Sequence, residues 1–219
     1  MPRRPDPEGP TPLKWGLISD VHGDAEALEL ACAHLEALGA EAIVCAGDVV
    51  GYGPHPDRVT AFLAEHRIAS ARGNHDRWAL AREPGAPDPY GGGTPGNASL
   101  AFLDTLPTDL ILEPPGRVVV VVHASIRSDM EFVTRATHPP SVLRDDLKFL
   151  DADLLVHGHT HEPMWHRDRW GLVVNPGAVV SAPVVRSSRT FALVDLAALT
   201  VTFHDVRTGR AVEVPPWSG

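Results

Sequence analysis

The chain has 219 residues, of which 43% are hydrophobic and 21% charged, a composition ordinary for a globular protein with one sizeable core. Its formal net charge of −9 disfavours a broad nucleic-acid-binding surface, which needs an excess of basic side chains. No apolar stretch approaches the roughly 18 residues of a membrane span, so we expect no membrane contact. Cys32 and Cys45 lie in helix-like and strand-like apolar stretches and predict small buried thiols in a reducing cytoplasm.

Residues 1–12 contain five prolines and no apolar core, which predicts a disordered leader ahead of a single domain over residues 13–219. The domain begins with alternating strand and helix patterns, as in a βαβ unit. We expect strands over residues 14–19, 42–46 and 68–71, and helices over residues 24–38, 56–66 and 78–82.

A segment rich in glycine and proline, residues 83–96, interrupts this pattern and predicts a rim or lid loop rather than a domain linker. Helices are predicted beyond it over residues 97–106 and 139–150. The rest of the second half has strand patterns, over residues 118–122, 154–156, 164–167, 172–174, 190–194 and 200–205. Together these elements predict two packed sheets flanked by helices.

Five of the predicted strands end on side chains that bind divalent metals. In strand order they are Asp20 and His22, then Asp48, then Asn74, His75 and Asp76, then His123, and last His159 and His161. Ligand sites of open α/β folds lie at strand ends along one edge of the sheet. We therefore expect these side chains to converge on one place, with enough ligands for two metal ions and an acid catalyst besides.

Taken singly, most of these groups have ordinary explanations. Polar residues after a strand often form only a turn, and His123 after five valines would suit a buried core histidine. The sequence from Gly158 to His161 is more specific, because two histidines spaced i, i+2 after a glycine suit ligands splayed from a tight turn. Coincidence is the poorer explanation, since all five groups recur in the same local context.

The five groups resemble the signature blocks of the calcineurin-like metallophosphoesterase superfamily. The blocks occur in order over roughly residues 14–180, as Asp20-x-His22, Gly47-Asp48, Gly73-Asn74-His75-Asp76, His123 and Gly158-His159-x-His161. Residues 47–54 (GDVVGYGP) and 175–177 (NPG) are also similar to its small prokaryotic phosphoesterase and phosphodiesterase branch. The resemblance implies an α/β fold that is a four-layer α/β/β/α sandwich of two mixed β-sheets, with a dinuclear metal site at the strand ends.

The resemblance also implies roles. One metal would be held by Asp20, His22 and His161, the other by Asn74, His123 and His159, and Asp48 would bridge the two. Imidazole and oxygen ligands without thiolate suit two divalent ions, with manganese foremost and iron, zinc, nickel or cobalt as alternatives. A metal-bridging hydroxide would attack phosphorus in line with the leaving oxygen. His75 would be the general acid or phosphate-oxygen donor, and Asp76 would fix its tautomer.

The substrate class rests on a departure from the family. Protein phosphatases of this superfamily have an arginine after the bridging aspartate, whereas residues 47–53 read GDVVGYG here. A diester carries less charge than a monoester, so the missing cation favours a phosphodiesterase acting on small or nucleotide-like substrates. Arg58, Arg72 or Arg77 would be able to compensate. Phosphomonoesterase, protein phosphatase and dinucleoside polyphosphate hydrolase activities therefore stay open.

Two other functional classes are disfavoured. A non-catalytic protein-binding scaffold would not need the full ligand set and His75, and a nuclease would need a local basic patch. Tyr52 and Tyr90 lie in glycine-rich loops, where stacking on a base or leaving group and simple packing are both open. Asp24 stands where many relatives have asparagine, which predicts either a charge near the site or a helix cap. The remaining histidines and three tryptophans are interpreted as surface or packing residues: His34, His55, His66, His138, His157, His166, His204, Trp15, Trp165 and Trp170.

Overall fold

The computed structural model describes residues 13–83, 85–181 and 188–218, so the predicted leader over residues 1–12 lies outside the described residues. Its elements in chain order are β1 (Lys14–Ile18), α1 (Ala25–Ala37), β2 (Ala42–Cys45), α2 (Pro56–Glu65), β3 (Ala69–Ser70), α3 (Asn74–Ala81), α4 (Asn97–Thr105), β4 (Asp109–Leu112), β5 (Val119–Val122), α5 (Pro140–Leu150), β6 (Leu154–Val156), β7 (Met164–Asp168), β8 (Gly171–Asn175), β9 (Thr190–Asp195), β10 (Thr200–Asp205) and β11 (Ala211–Val212).

These strands form two mixed sheets. The first has the order β11-β10-β9-β1-β2-β3, and the second has the order β4-β5-β6-β8-β7. In the first sheet β1, β2 and β3 are parallel, and β9 joins β1 antiparallel. In the second sheet β5, β6 and β8 are parallel, and β4 and β7 join them antiparallel. Among these parallel strands, β1, β2, β3, β5 and β6 are the ones that lead into the predicted metal ligands.

The sheets pack face to face, with helices on both outer faces. In β1, Leu17 is buried between the sheets, whereas its neighbour Ile18 packs in the core formed with α1 and α2. In β5, Val119 and Val121 face the other sheet, whereas Val120 packs in the core formed with α5. This two-residue alternation buries both faces of each strand, as expected of parallel strands covered on both sides. The predicted four-layer α/β/β/α arrangement is confirmed.

The structure departs from the sequence prediction at three elements. α3 begins at Asn74 instead of residue 78, so the predicted site residues 74–76 form its first turn. β4 was not predicted, and its alternation of exposed and half-buried side chains is that of an edge strand. β11 is a two-residue edge strand with both side chains exposed, too short to show a pattern. No helix in the described part of the chain is long and apolar enough to cross a bilayer.

The residues interpreted as packing residues do pack. Trp15 is buried between the sheets, and the Trp165 Nε1 donates to the Val214 carbonyl oxygen at 2.8 Å. Both thiols are buried, and burial raises the pKa of Cys32 to about 12 and also raises that of Cys45. Neither cysteine is therefore a reactive nucleophile or metal ligand in the folded protein.

Candidate metal centre

The predicted ligands all lie along one edge of the two sheets. Asp20 and His22 follow the carboxyl end of β1, and Asp48 follows that of β2. Asn74 begins the helix after β3. His123 follows β5, and His159 and His161 follow β6. Since these five strands are parallel within their sheets, their carboxyl ends meet at the same edge. The predicted convergence on one place is what the structure shows.

One cluster of potential ligand atoms consists of Asp20, His22 and His161, all within 4.8 Å of one another. The Nε2 atoms of His22 and His161 are 3.1 Å apart, and Asp20 Oδ1 lies 3.2 Å from Nε2 of His161. The Nδ1 of His22 lies 3.2 Å from the Val50 carbonyl oxygen, to which it donates. This hydrogen bond fixes the tautomer of His22, so its Nε2 lone pair faces the cluster.

The second cluster consists of Asp48, His123 and His159, again within 4.8 Å. The Nδ1 of His123 donates to the Ala46 carbonyl oxygen at 2.8 Å, and its Nε2 lies 3.0 Å from the Asn74 side-chain oxygen. The Nε2 of His159 is buried and has no hydrogen-bond partner within the described residues. Asn74 therefore joins this cluster, and the cluster offers imidazole nitrogens beside two side-chain oxygens.

Asp48 stands between the two clusters. Its Oδ2 lies 3.3 Å from Nε2 of His123 in one cluster and 3.7 Å from Nε2 of His22 in the other. Its Oδ1 accepts the backbone N–H of His75 at 2.8 Å, which fixes the carboxylate plane. A carboxylate held in this way lies within reach of both clusters.

The electrostatics of the buried ligands favour cations. Burial would raise the pKa of Asp48, but His123 and His22 outweigh it and hold that pKa below its usual range. Burial would lower the pKa of His123, but Asp48 raises it to about 10. Burial lowers the pKa of His22 to about 4, so this imidazole is neutral. Two buried carboxylates, the neutral His22 imidazole and an unpartnered His159 nitrogen form a donor set that fits divalent metal ions.

The backbone of the site is strained. Five of the seven predicted ligands have a left-handed φ between 49° and 66°, namely Asp20, His22, Asp48, His159 and His161. Each such conformation costs a non-glycine residue about 1–3 kcal/mol, and such costs concentrate at functional sites. Local backbone preference therefore does not explain these conformations, whereas the need to aim several side chains at one point does.

Close packing around Asp20 leaves no room beside it. Its Oδ2 accepts the Ser19 hydroxyl at 2.6 Å and the His159 N–H at 3.0 Å. A Cβ on Gly158 would overlap the Ser19 hydroxyl oxygen and lie 2.6 Å from the same Oδ2. The glycine before the histidine pair is thus required by close approach to the carboxylate.

Asp76 does not have the role that the sequence predicted. Its two carboxylate oxygens accept the backbone N–H groups of Gly73 at 2.8 Å and Val50 at 3.0 Å. The Nδ1 of His75 is buried without a hydrogen-bond partner in the described part of the chain, so the prediction that Asp76 fixes the His75 tautomer is wrong. Asp76 instead ties the first turn of α3 to the segment after β2, and burial raises its pKa to about 6.

Aromatic rings surround His75. Its ring centroid lies 4.7 Å from that of Tyr52, 4.8 Å from Trp78 and 4.9 Å from Tyr90. The His22 ring is also close, at 4.9 Å in an edge-on arrangement. Sequence reasoning had singled out the two tyrosines but missed Trp78, which lies three residues after His75 and so on the same face of α3.

The three arginines named as able to compensate for the missing phosphatase arginine differ in their partners. Arg58 pairs with Glu26 and Glu29, and Arg77 pairs with Asp129. Arg72 forms no ion pair within the described residues, and its buried Nε has no hydrogen-bond partner there. It lines a pocket together with His123, so it is the available cation beside the metal ligands.

The other polar residues have structural roles. Asp24 caps α1, since its Oδ1 accepts the Ala27 N–H at 3.1 Å, and its Oδ2 accepts the Ser181 hydroxyl at 2.7 Å. His34 stacks on Phe191. None of the histidines interpreted as packing residues belongs to a potential metal cluster in the described residues.

Comparison with known proteins decides the family. The profile of the calcineurin-like phosphoesterase superfamily domain matches residues 13–198. The chain belongs to this superfamily. An uncharacterized protein of Methanocaldococcus jannaschii is 29% identical over 171 residues, which cover 74% of this chain and 68% of the relative.

Solved structures of the superfamily share the fold. A metallophosphoesterase from Sphaerobacter thermophilus superposes with a TM-score of 0.70 at 24% identity and covers 94% of this chain and 90% of that one. An archaeal phosphodiesterase has a TM-score of 0.55 at 17% identity, covering 91% and 99%. Vacuolar protein sorting 29 from Cryptosporidium parvum has a TM-score of 0.56 at 20% identity, covering 91% and 94%. At these identities the likeness shows the fold alone.

Proposed function

We propose that this member of the superfamily is a dinuclear-metal-dependent phosphodiesterase that acts on small or nucleotide-like phosphoesters. The observation that carries the proposal is the pair of ligand clusters with Asp48 between them, its Oδ2 within 3.7 Å of one imidazole from each. The strained backbone of five ligands and the resemblance to an archaeal phosphodiesterase in fold support it.

The ligand sets would be those implied by the two clusters. Asp20, His22 and His161 would hold one ion and Asn74, His123 and His159 the other, with Asp48 shared; manganese is the first choice and iron, zinc, nickel or cobalt the alternatives. When bound, the two ions would neutralise the phosphoryl oxygens and lower the pKa of a water toward neutrality. The hydrogen bonds that fix His22 and His123 leave the Nε2 atom of each ring on the side of its cluster, where it would be available to an ion.

His75 is the residue that would handle the leaving oxygen. Gly51 packs so closely on its Nδ1 that a Cβ there would come within 2.5 Å. Because a buried N–H without an acceptor is unfavourable, the neutral ring keeps its proton on Nε2. The ring has a ligand-type nitrogen within 4.8 Å of those of His22 and Asp48, so it borders both clusters without belonging to the predicted ligand set. His75 would therefore donate its Nε2 proton to a phosphoryl or leaving oxygen.

A diester fits the charge of this site better than a monoester does. Residues 47–53 supply no arginine, and Arg58 and Arg77 are already neutralised by acidic partners. Arg72 is the observation that favours the second candidate, a phosphomonoesterase, because it is the unpaired cation beside His123 in the described residues. The intact ligand clusters argue against a scaffold, and the net charge of −9 argues against a nuclease. The buried, reduced thiols are consistent with a cytoplasmic protein.

The test is hydrolysis of bis-p-nitrophenyl phosphate by metal-free protein to which manganese is returned. We expect manganese-stimulated cleavage that His75→Ala abolishes and His66→Ala, on the exposed end of α2, leaves unchanged. Absence of cleavage with each of the five candidate metals would refute the enzyme proposal. A strong preference for p-nitrophenyl phosphate over the diester would instead establish the phosphomonoesterase.

A further inference from the structure

One wall of the candidate site is aromatic and reaches the surface. The rings of Trp78 and Tyr90 are nearly parallel, at 23° and 5.5 Å, and Tyr52 meets Tyr90 at 60° and 5.6 Å. All three rings lie within 4.9 Å of the His75 ring centroid. Tyr90 is 43% exposed, so one part of this wall is open to a ligand.

The loop over residues 85–96 holds Tyr90 in place. The Tyr90 N–H donates to Asp88 Oδ1 at 2.8 Å, and the buried Asp88 side chain also pairs with Arg82 at 3.5 Å. Further along, the Gly93 N–H donates to the Gly53 carbonyl oxygen at 2.9 Å. The loop is therefore fastened both to the end of α3 and to the segment that carries Tyr52. An exposed aromatic ring is kept beside His75 by polar contacts instead of being buried in the core.

The position of the wall beside His75 indicates which part of the substrate it would contact. If His75 gives its proton to the leaving oxygen, the atoms bonded to that oxygen lie on the His75 side of the phosphorus. The group that departs would then contact the rings around His75. Flat, polarisable groups gain from such contacts through stacking, which aliphatic groups of equal size lack.

We propose that Tyr52, Trp78 and Tyr90 form a binding site for an aromatic leaving group, such as a nucleobase-bearing or aryl alcohol. This inference rests on the proposed function and narrows its substrate class. Stacking on exposed aromatic side chains is worth about 1 kcal/mol at its lower end, which corresponds to about fivefold in affinity. The site thus selects aromatic over aliphatic phosphoesters by about this factor.

The test uses two ligands that cannot be hydrolysed, phenylphosphonate and cyclohexylphosphonate, at a pH above the second pKa of both, where each is a dianion. Their dissociation constants are measured calorimetrically on the manganese-loaded protein. We expect about fivefold tighter binding of phenylphosphonate. Tyr90→Leu should remove the preference while binding of cyclohexylphosphonate persists, and Tyr90→Phe should retain it. Phe149→Leu, which alters a ring that is 82% exposed on α5, is the matched control and should behave as the unaltered protein.

The outcomes separate the two proposals. Equal binding of both phosphonates, or a preference that survives Tyr90→Leu, overturns the aromatic site but leaves the phosphodiesterase proposal standing. If neither phosphonate binds, the aromatic site is overturned, and the separate hydrolysis assay then decides whether the phosphodiesterase proposal falls with it. Melting curves of each variant show whether it is folded, since the exposed Tyr90 side chain contributes little to the core.

Discussion

Gly158→Ala should damage the metal centre without removing any ligand. The new Cβ would overlap the Ser19 hydroxyl oxygen and lie 2.6 Å from Asp20 Oδ2, whereas real Cβ contacts essentially never fall under 3.0 Å. The hydroxyl that donates to this carboxylate must therefore move aside, and the carboxylate must retreat by about 0.4 Å. Metal–ligand distances in proteins lie within about 0.2 Å of their typical values, so a shift of this size leaves the usual range. Changes of this kind, which displace a ligand without deleting it, typically weaken metal binding by about 10- to 100-fold. We expect that loss at the cluster of Asp20, His22 and His161.

The assay is calorimetric titration of metal-free protein with manganese. His161→Ala, which lacks a ligand of the same cluster, supplies the reference for a protein with only the other site intact. Gly39→Ala is the control for the backbone strain of replacing a glycine far from the site. The φ of Gly39 is 86°, which is left-handed, but nothing lies within 4 Å of the new Cβ. This substitution should cost about 1 kcal/mol of stability and leave both manganese affinities unchanged. A folded Gly158→Ala protein with undiminished affinity at both sites would refute the reasoning.

Two further predictions concern charge and thiol reactivity. Arg72→Ala should raise KM for p-nitrophenyl phosphate about tenfold and change KM for the diester less, because one charged hydrogen bond to a dianion is lost. Arg58 is ion-paired, so Arg58→Ala should change neither KM. Equal effects of Arg72→Ala on both esters would contradict this role. Because burial raises the pKa of Cys32 to about 12, its thiolate is scarce at pH 8, and iodoacetamide labelling of the folded protein should be about a thousandfold slower than in urea. Fast labelling of the folded protein would show that Cys32 is exposed.

Much of the architecture could be predicted because buried helices and strands have periodic patterns of apolar residues in the sequence. The valine run of residues 118–122 becomes a strand buried on both faces, and the strand-end ligands meet because parallel strands end at one edge. β4 and β11 were not predicted, because edge strands bury too few side chains to show an apolar pattern in the sequence. The early start of α3 was missed because asparagine and histidine after a glycine look like loop residues, whereas Asn74 and His75 form the first turn of the helix.

The site residues were predictable in identity but not in all their contacts. Asp76 follows His75 directly in the sequence, yet its carboxylate turns to the N–H groups of Gly73 and Val50. Those partners come from a turn and from another strand end, so no spacing rule indicates them. Trp78 joins the site only because α3 begins four residues earlier than predicted, which puts it on the face of His75. Contacts that depend on where an element begins lie beyond sequence patterns.

The proposed function requires a two-metal centre in which both ions share Asp48. The sharpest test compares the number of bound metal ions with the phosphodiesterase activity. Metal-free protein is titrated with manganese, and bound metal and bis-p-nitrophenyl phosphate cleavage are measured on the same samples. We expect saturation at two ions per chain, activity that follows the second ion, and loss of activity together with at least one ion in Asp48→Ala. Full activity with one ion per chain, or two tightly bound ions in Asp48→Ala, would contradict it.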